Sequence, residues 1–269
     1  MNHSLIKRFT LDMILYGFLL LFLLPLFLLI LHSLGSSWPY PSIFPQKLTL
    51  RGINAIFHGG SLRVIINSVL ISLSVTLLTI ILSILTARAL ALYDFKGKAF
   101  VNMLVLSPLI IPTTSVAMGL HVLFIRLGLT NNIFGVILIQ LIPCIPYGVR
   151  LMVEVMEIVG VSLENQGRIL GASPLEAFTK ITLPLISPGI ISASSLVFVV
   201  SFSQYFLTFL IGGGSVITLP IVMVPYIQSG DRTLACSYSI VFIVTSLIIV
   251  FFMEKSIRKY YKASGNFYI

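Results

Sequence analysis

The sequence predicts an all-α membrane protein, with six transmembrane helices and both termini on the inner side of the bilayer. Three observations carry this. The 269 residues are 57% hydrophobic and only 9% charged, against roughly 25% charged in soluble domains, and the mean hydropathy is +1.07. Apolar runs at about 11–32, 64–88, 99–125, 132–153, 187–211 and 233–254 each approach the ~20 residues that cross a bilayer core. Lys and Arg concentrate on alternate connections between those runs.

Each run is expected to be helical, because a backbone in lipid must satisfy its own hydrogen bonds. The first is too long for a signal-peptide core and lacks a small-residue cleavage site, so it reads as a retained anchor. The connection 33–62 follows, with Pro39, Pro41, Pro45 and the single tryptophan, Trp38. Trp38 suits an interfacial anchor, and residues 53–58 suit a short surface helix. Residues 1–63 thus form an anchor with an outer loop, 64–256 a core of five spans, and 257–269 a basic tail. With the N-terminus inside, the inner segments hold Lys7, Arg8, Arg88, Lys96, Lys98, Arg150, Arg168, Lys180, Lys255, Arg258, Lys259 and Lys262. The outer ones hold only Lys47, Arg51, Arg63, Arg126 and Arg232. That asymmetry sets the orientation.

The net charge of +9 is therefore a topology signal and not a nucleic-acid-binding face. Cys144 and Cys236 lie in or beside apolar segments without metal-ligand spacing. His32 and His58 belong to the interface or the outer loop.

One inner stretch, 160–186, breaks the apolar rhythm, and its sequence is that of two short helices joined by an elbow. The first is expected from Ser162, as N-cap, to Leu170, with Glu164 and Arg168 paired four apart. Gly171 follows, where glycine adopts a left-handed conformation without a Cβ penalty. Ser173-Pro174-Leu175-Glu176 then restarts a helix as a capping box with proline in its first turn. Glu176 and Lys180 form a second pair. Leu175, Phe178 and Ile181 share its apolar edge. Leu183-Pro184 is expected to end it, and Pro188 opens the fifth span.

This stretch, "LENQGRILGASPLEAFTKITLPLISPGI", resembles the EAA loop of permease subunits in type I ABC importers. Their pattern places nine residues between a glycine and I-x-L-P, as between Gly171 and Ile181-Thr182-Leu183-Pro184. The family's Glu-Ala-Ala falls on Asn165-Gln166-Gly167, with Glu164 one place earlier. "SLRVIINSVLISLSVTLLTIILSILTARALALYDFKGKAF" resembles the second span and inner loop. "LPIVMVPYIQSG" resembles the branch that handles polyamines, iron or thiamine.

The resemblance implies the MetI-like permease fold in a bacterial or archaeal cell membrane. It also implies a cytosolic ABC ATPase dimer that binds ATP and magnesium, a second permease subunit (identical or homologous), and an extracytoplasmic solute-binding protein. Contact with the ATPase would fall to Glu164, Asn165, Gly171, Ala172, Ser173, Glu176, Phe178, Leu183 and Pro184. The loops 33–62 and 212–230 are candidates for docking the binding protein. No cofactor or metal is expected in this chain, which has no G-x-x-x-x-G-K-[ST] phosphate loop.

A pathway needs polar groups within the spans. The third run offers Ser107, Pro108, Pro112, Thr113, Thr114, Ser115 and His121; the fourth offers Gln140, Pro143, Pro146 and Tyr147. In the fifth, Ser203, Gln204 and Tyr205, shortly before three glycines, form the preferred pathway segment. An intramembrane enzyme would need a convergent nucleophile, base or metal set, and no such motif occurs. An ion-coupled carrier or channel, the alternative transporter class, would need charged sites within the spans, which are absent.

Overall fold

The computed structural model describes residues 2–36, 47–58 and 60–262, with side chains over 12–36, 47–57 and 60–256. Trp38, the three loop prolines, the His58 side chain and the end of the basic tail lie outside the described residues. The helices are α1 Asn2–Ser33, α2 Arg51–His58, α3 Ser61–Leu92, α4 Lys98–Ile110, α5 Thr113–Arg126 and α6 Ile133–Val159. The elbow follows as α7 Ser162–Ile169 and α8 Pro174–Leu185. Then come α9 Ser187–Phe202, α10 Phe206–Gly212, α11 Leu219–Ser229 and α12 Arg232–Lys262. Among the described residues the only bridge between extended segments joins Gly35 and Leu48. The fold class is therefore all-α.

Two compact units emerge, Met1–Leu62 with Val222–Val244, and Arg63–Ile221 with Thr245–Ile269. In the first, α1 buries none of its most apolar stretch within the protein. A helix apolar on every side is suited to lipid. The connection after α1 is fastened to the start of α12. Arg51 pairs with Asp231 at 2.9 Å, and Thr233 Oγ1 donates to the Gly35 carbonyl at 2.6 Å. The Ser61 and Tyr238 hydroxyls bond at 2.9 Å. Gly52 meets α12 so closely that a Cβ there would stand 1.9 Å from Ser237 Oγ, so only glycine fits without a shift.

The second unit is built on α6. One apolar cluster joins Ile71 and Val75 of α3, Val136, Ile139 and Cys144 of α6, Val197 of α9, and Leu207 and Ile211 of α10. Another, nearer the elbow, joins Ile80, Ala87, Met152, Met156, Ile186 and Ala193. Small residues let helices approach, as is usual where lipid removes the hydrophobic driving force between them. A Cβ on Gly148 would meet Ser83 Oγ at 2.4 Å, and one on Gly189 would meet Val155 Cγ2 at 2.7 Å.

Among the described residues, four helices are each long and apolar enough to cross a bilayer, and two bent pairs raise the number to as many as six. Two of the expected runs are bent or interrupted. Residues 99–125 are two helices, α4 and α5, meeting at 103°. Pro112 lacks an amide and disfavours helix at Ile111, which is extended at φ −83°, ψ 131°. The fifth run is interrupted at Ser203–Tyr205, between α9 and α10. Residues 212–230, expected as a loop, contain the apolar helix α11. It is set off by Gly213 and Gly214, both at positive φ, and by Gly230.

The break in the fifth run is bridged from α6. Gln140, 1% exposed, donates through Nε2 to Thr208 Oγ1 at 2.8 Å and accepts from Ser201 Oγ at 2.6 Å. One amide thus joins the end of α9 to α10. Gln140→Leu removes both bonds, while Thr208 keeps its bond to the Gln204 carbonyl. The expected cost is about 1 kcal/mol, read as a lower melting temperature of the purified protein in detergent.

Candidate functional site

The elbow begins after Gly160, which has a positive φ of 62°. Its first helix opens at Ser162 with Val161 in the N-cap position, where no side chain caps it. Ser162 is therefore inside the helix and is not its cap. The helix closes as a Schellman motif, with the Gly171 amide donating to the Arg168 carbonyl and the Ala172 amide to Gly167, each at 3.0 Å. Gly171 stands at φ +96°, with open space where a Cβ would point. Glycine is required there by backbone conformation and not by crowding.

The second helix opens with the expected capping box. The Ser173 amide donates to Glu176 Oε2 at 3.1 Å, and the Glu176 amide to Ser173 Oγ at 3.3 Å. Lys180 Nζ donates to Glu176 Oε1 at 3.1 Å. The bonds from the Ser173 backbone and hydroxyl, followed by Lys180, pull the Glu176 carboxyl down to about 2.

Pro184 does not end this helix. Over Phe178–Thr182 the turn widens, and the Leu183 amide reaches the Phe178 carbonyl five residues back. The wide turn absorbs the proline without a break. The chain instead turns at Ile186 (φ −84°, ψ 0°) and enters α9 at 68°. The expected apolar edge is also divided. Leu175 is 72% exposed, whereas Phe178 and Ile181 are half-buried.

Glu164 is 5% exposed, and its partner is Arg88 at the end of α3, not Arg168. Arg88 Nη2 donates to Glu164 Oε1 at 2.5 Å, and Thr182 Oγ1 donates to Oε2 at 2.7 Å. The Arg88 guanidinium also lies 5.0 Å from the centre of the Phe178 ring. Burial alone would raise the Glu164 carboxyl, but the bonds from Thr182 and Arg88 outweigh it and hold it below its usual range. Gly167, where the family pattern has alanine, faces Ile181. A Cβ there would come within 2.4 Å of Ile181 Cδ1. The departure from Glu-Ala-Ala is thus matched by closer packing between α7 and α8.

The other residues assigned to coupling fall into two sets. Asn165, Gly171, Ser173 and Glu176 are exposed, while Ala172, Phe178, Leu183 and Pro184 are half-buried. Sequence reasoning missed the most exposed apolar residues on the elbow, Ile169 at 84% and Leu170 at 88%. Their signal was two apolar residues directly before a left-handed glycine, outside every span. Arg88 was also missed, since it reads as one more topology-setting cation.

At the interrupted fifth run, Ser203 is exposed, while Gln204 and Tyr205 are half-buried. Ser203 Oγ donates to the Val200 carbonyl at 3.0 Å, and the Gln204 carbonyl accepts from Thr208 Oγ1 at 2.9 Å. Hydroxyls here compete for backbone carbonyls and favour the break. Such irregular backbone within a membrane needs protein or water beside it. His121 and Tyr147 are half-buried on α5 and α6. Among the described residues no cluster of His, Cys, Asp or Glu could hold a metal ion.

The family model described as binding-protein-dependent transport system inner membrane component matches residues 79–259, more than half of the chain. The chain is 24% identical over 244 residues to PhnV of Salmonella paratyphi A, a permease assigned to 2-aminoethylphosphonate transport, covering 90% of this chain and 91% of that one. It is 26% identical over 245 residues to the spermidine/putrescine permease PotC of Shigella flexneri, covering 90% and 92%. Its fold matches a chain in the crystal structure of a bacterial alginate ABC transporter in complex with an alginate-bound periplasmic protein. There the TM-score is 0.67, at 19% identity, covering 95% of this chain and 98% of that one.

Two outcomes are expected from the elbow's geometry. Gly171→Val forces a β-branched residue to positive φ and should cost about 1–3 kcal/mol, measured as faster hydrogen exchange at 167–176. The Glu176 carboxyl titrates below its ordinary value of 4.5. Its contribution to the second helix is therefore complete above about 4.5 and is lost as pH falls toward about 2. Exchange protection at 174–180, corrected for intrinsic rates, should fall over that window and stay flat in Glu176→Gln.

Proposed function

The chain belongs to the binding-protein-dependent transport system inner membrane component family, and on that premise we propose that the elbow, residues 160–186, is its lever onto a cytosolic ATPase dimer. The protein is a permease subunit of an ABC importer, a multi-pass component of the cell membrane that works with a separate ATPase. The observation that carries the lever reading is the set of exposed apolar side chains, Ile169, Leu170 and Leu175, on an elbow stiffened by a Schellman turn and a capping box.

Large apolar side chains outside a bilayer favour burial against a partner. A stiff mount loses little entropy when it docks. On this reading Ile169, Leu170 and Leu175 fill a groove in the ATPase, and Asn165, Ser173 and Glu176 form the polar rim. Gly171, Ala172, Phe178, Leu183 and Pro184 shape the lever. Closure of the two nucleotide-binding subunits around ATP and magnesium then moves the elbow, and α9 follows, opening the pathway to alternate sides.

The elbow on the inner side, both termini inside, and residues 33–62 and 212–230 facing a solute-binding protein complete the orientation. A second permease subunit, identical or homologous, supplies the other half of the path. Ser203, Gln204 and Tyr205 line this half, where the helix break exposes polar groups. The cargo is a small polar solute of the polyamine, iron or thiamine kind.

Leu170→Asp places a charge in the docking surface and should weaken ATPase retention on the purified permease at least tenfold, about 1.4 kcal/mol. Unchanged retention would remove the lever reading. Gln204→Leu should alter solute KM or rate in reconstituted vesicles with ATPase retention intact; if neither changes, the segment does not line the path.

A further inference from the structure

We propose that Arg88 is a positioning residue that makes α3, the second span, a direct route for force from the elbow. This rests on the elbow being the ATPase-facing lever. Along the chain the elbow is joined to α6 through Gly160 and Val161, and to α9 through a joint that turns by 68° at Ile186. On its two sides the Ile186 amide donates to the Thr182 carbonyl at 3.0 Å, and the Ile190 amide to the Ile186 carbonyl at 3.1 Å. Such a joint can flex when the elbow is pushed.

The Glu164 carboxylate offers a route around it. One oxygen is held by Arg88 of α3 and the other by Thr182 of α8, while the residue itself belongs to α7. Both halves of the elbow are thus fixed to one helix 76 residues away in sequence. The Arg88 guanidinium over Phe178 adds a second contact to α8. Beneath the ion pair, Leu183 and Ile186 pack in the same apolar cluster as Ile80 and Ala87 of α3. With both oxygens engaged and 5% exposure, Glu164 has no free face for an ATPase. Its acidic character is used inside the permease.

The test uses the reconstituted importer with its ATPase and binding protein, comparing wild type with Arg88→Met, Arg88→Lys and the exchange Arg88→Glu/Glu164→Arg. Solute imported per ATP hydrolysed should fall at least about fivefold in Arg88→Met, the low end for coupling between sites. It should fall less in Arg88→Lys, which keeps charge without the planar fork. The exchange should recover most of it.

Spin labels at Asp94→Cys and Thr179→Cys, on exposed sites flanking the pair, should keep one distance distribution through the nucleotide cycle in wild type. In Arg88→Met they should not. An unchanged import ratio, or label distances that move equally in both proteins, would overturn the inference. So would Glu164→Gln releasing the ATPase where Arg88→Met does not. If Leu170→Asp leaves ATPase bound, it is the lever reading that fails, and the label distances within the permease still report on Arg88.

Discussion

The carboxylate of Glu164 is the point on which the arrangement of the elbow depends. A charge taken out of water is costly unless its geometry and remaining lone pairs are satisfied. Here both oxygens are, by Arg88 and by Thr182. Both halves of the elbow and a helix 76 residues earlier must therefore meet at one place, and alternatives that leave the charge unpaired are penalised. Once α7 and α8 are drawn onto α3, the rest of the elbow has little freedom. Phe178 lies under the guanidinium, Ile181 packs onto Gly167, and Ile169, Leu170 and Leu175 are left facing outward.

The same rule governs the interrupted helices. A break in a membrane helix frees backbone groups and hydroxyls that lipid cannot satisfy. At the fifth run these find partners locally and in Gln140, whose amide serves Ser201 on one side of the break and Thr208 on the other. At the third run proline removes the donor outright, and the chain turns through 103°. Elbow and break thus follow one principle: a polar group in an apolar setting is placed by the partner it requires.

How far the sequence could be read depended on whether a feature is local. The capping box at Ser173 and Glu176 and the left-handed Gly171 involve residues at most a few positions apart, so spacing alone exposes them. Pro184 misled, because a widened turn upstream relieved the conflict that a lone proline normally creates. Glu164 and Arg168 have ideal spacing for a pair, yet the carboxylate turns inward to a cation on another helix. Gln140 read as a pathway group when seen by itself; only the position of α6 beside the break shows it as a brace.

What the sequence determined by itself was whatever hydropathy and near-neighbour chemistry dictate. That includes the apolar runs long enough to cross a bilayer, the skew of positive charge, the position of the elbow and its two caps, and the glycine-to-proline spacing that marks the family. Only the tertiary structure decided which of those runs bend, which acid is buried, and which apolar residues remain outside. The physical reason is range. Capping and lipid partition act between neighbours or on a segment as a whole, whereas the partner of a buried carboxylate or amide is whichever side chain packing brings within about 3 Å.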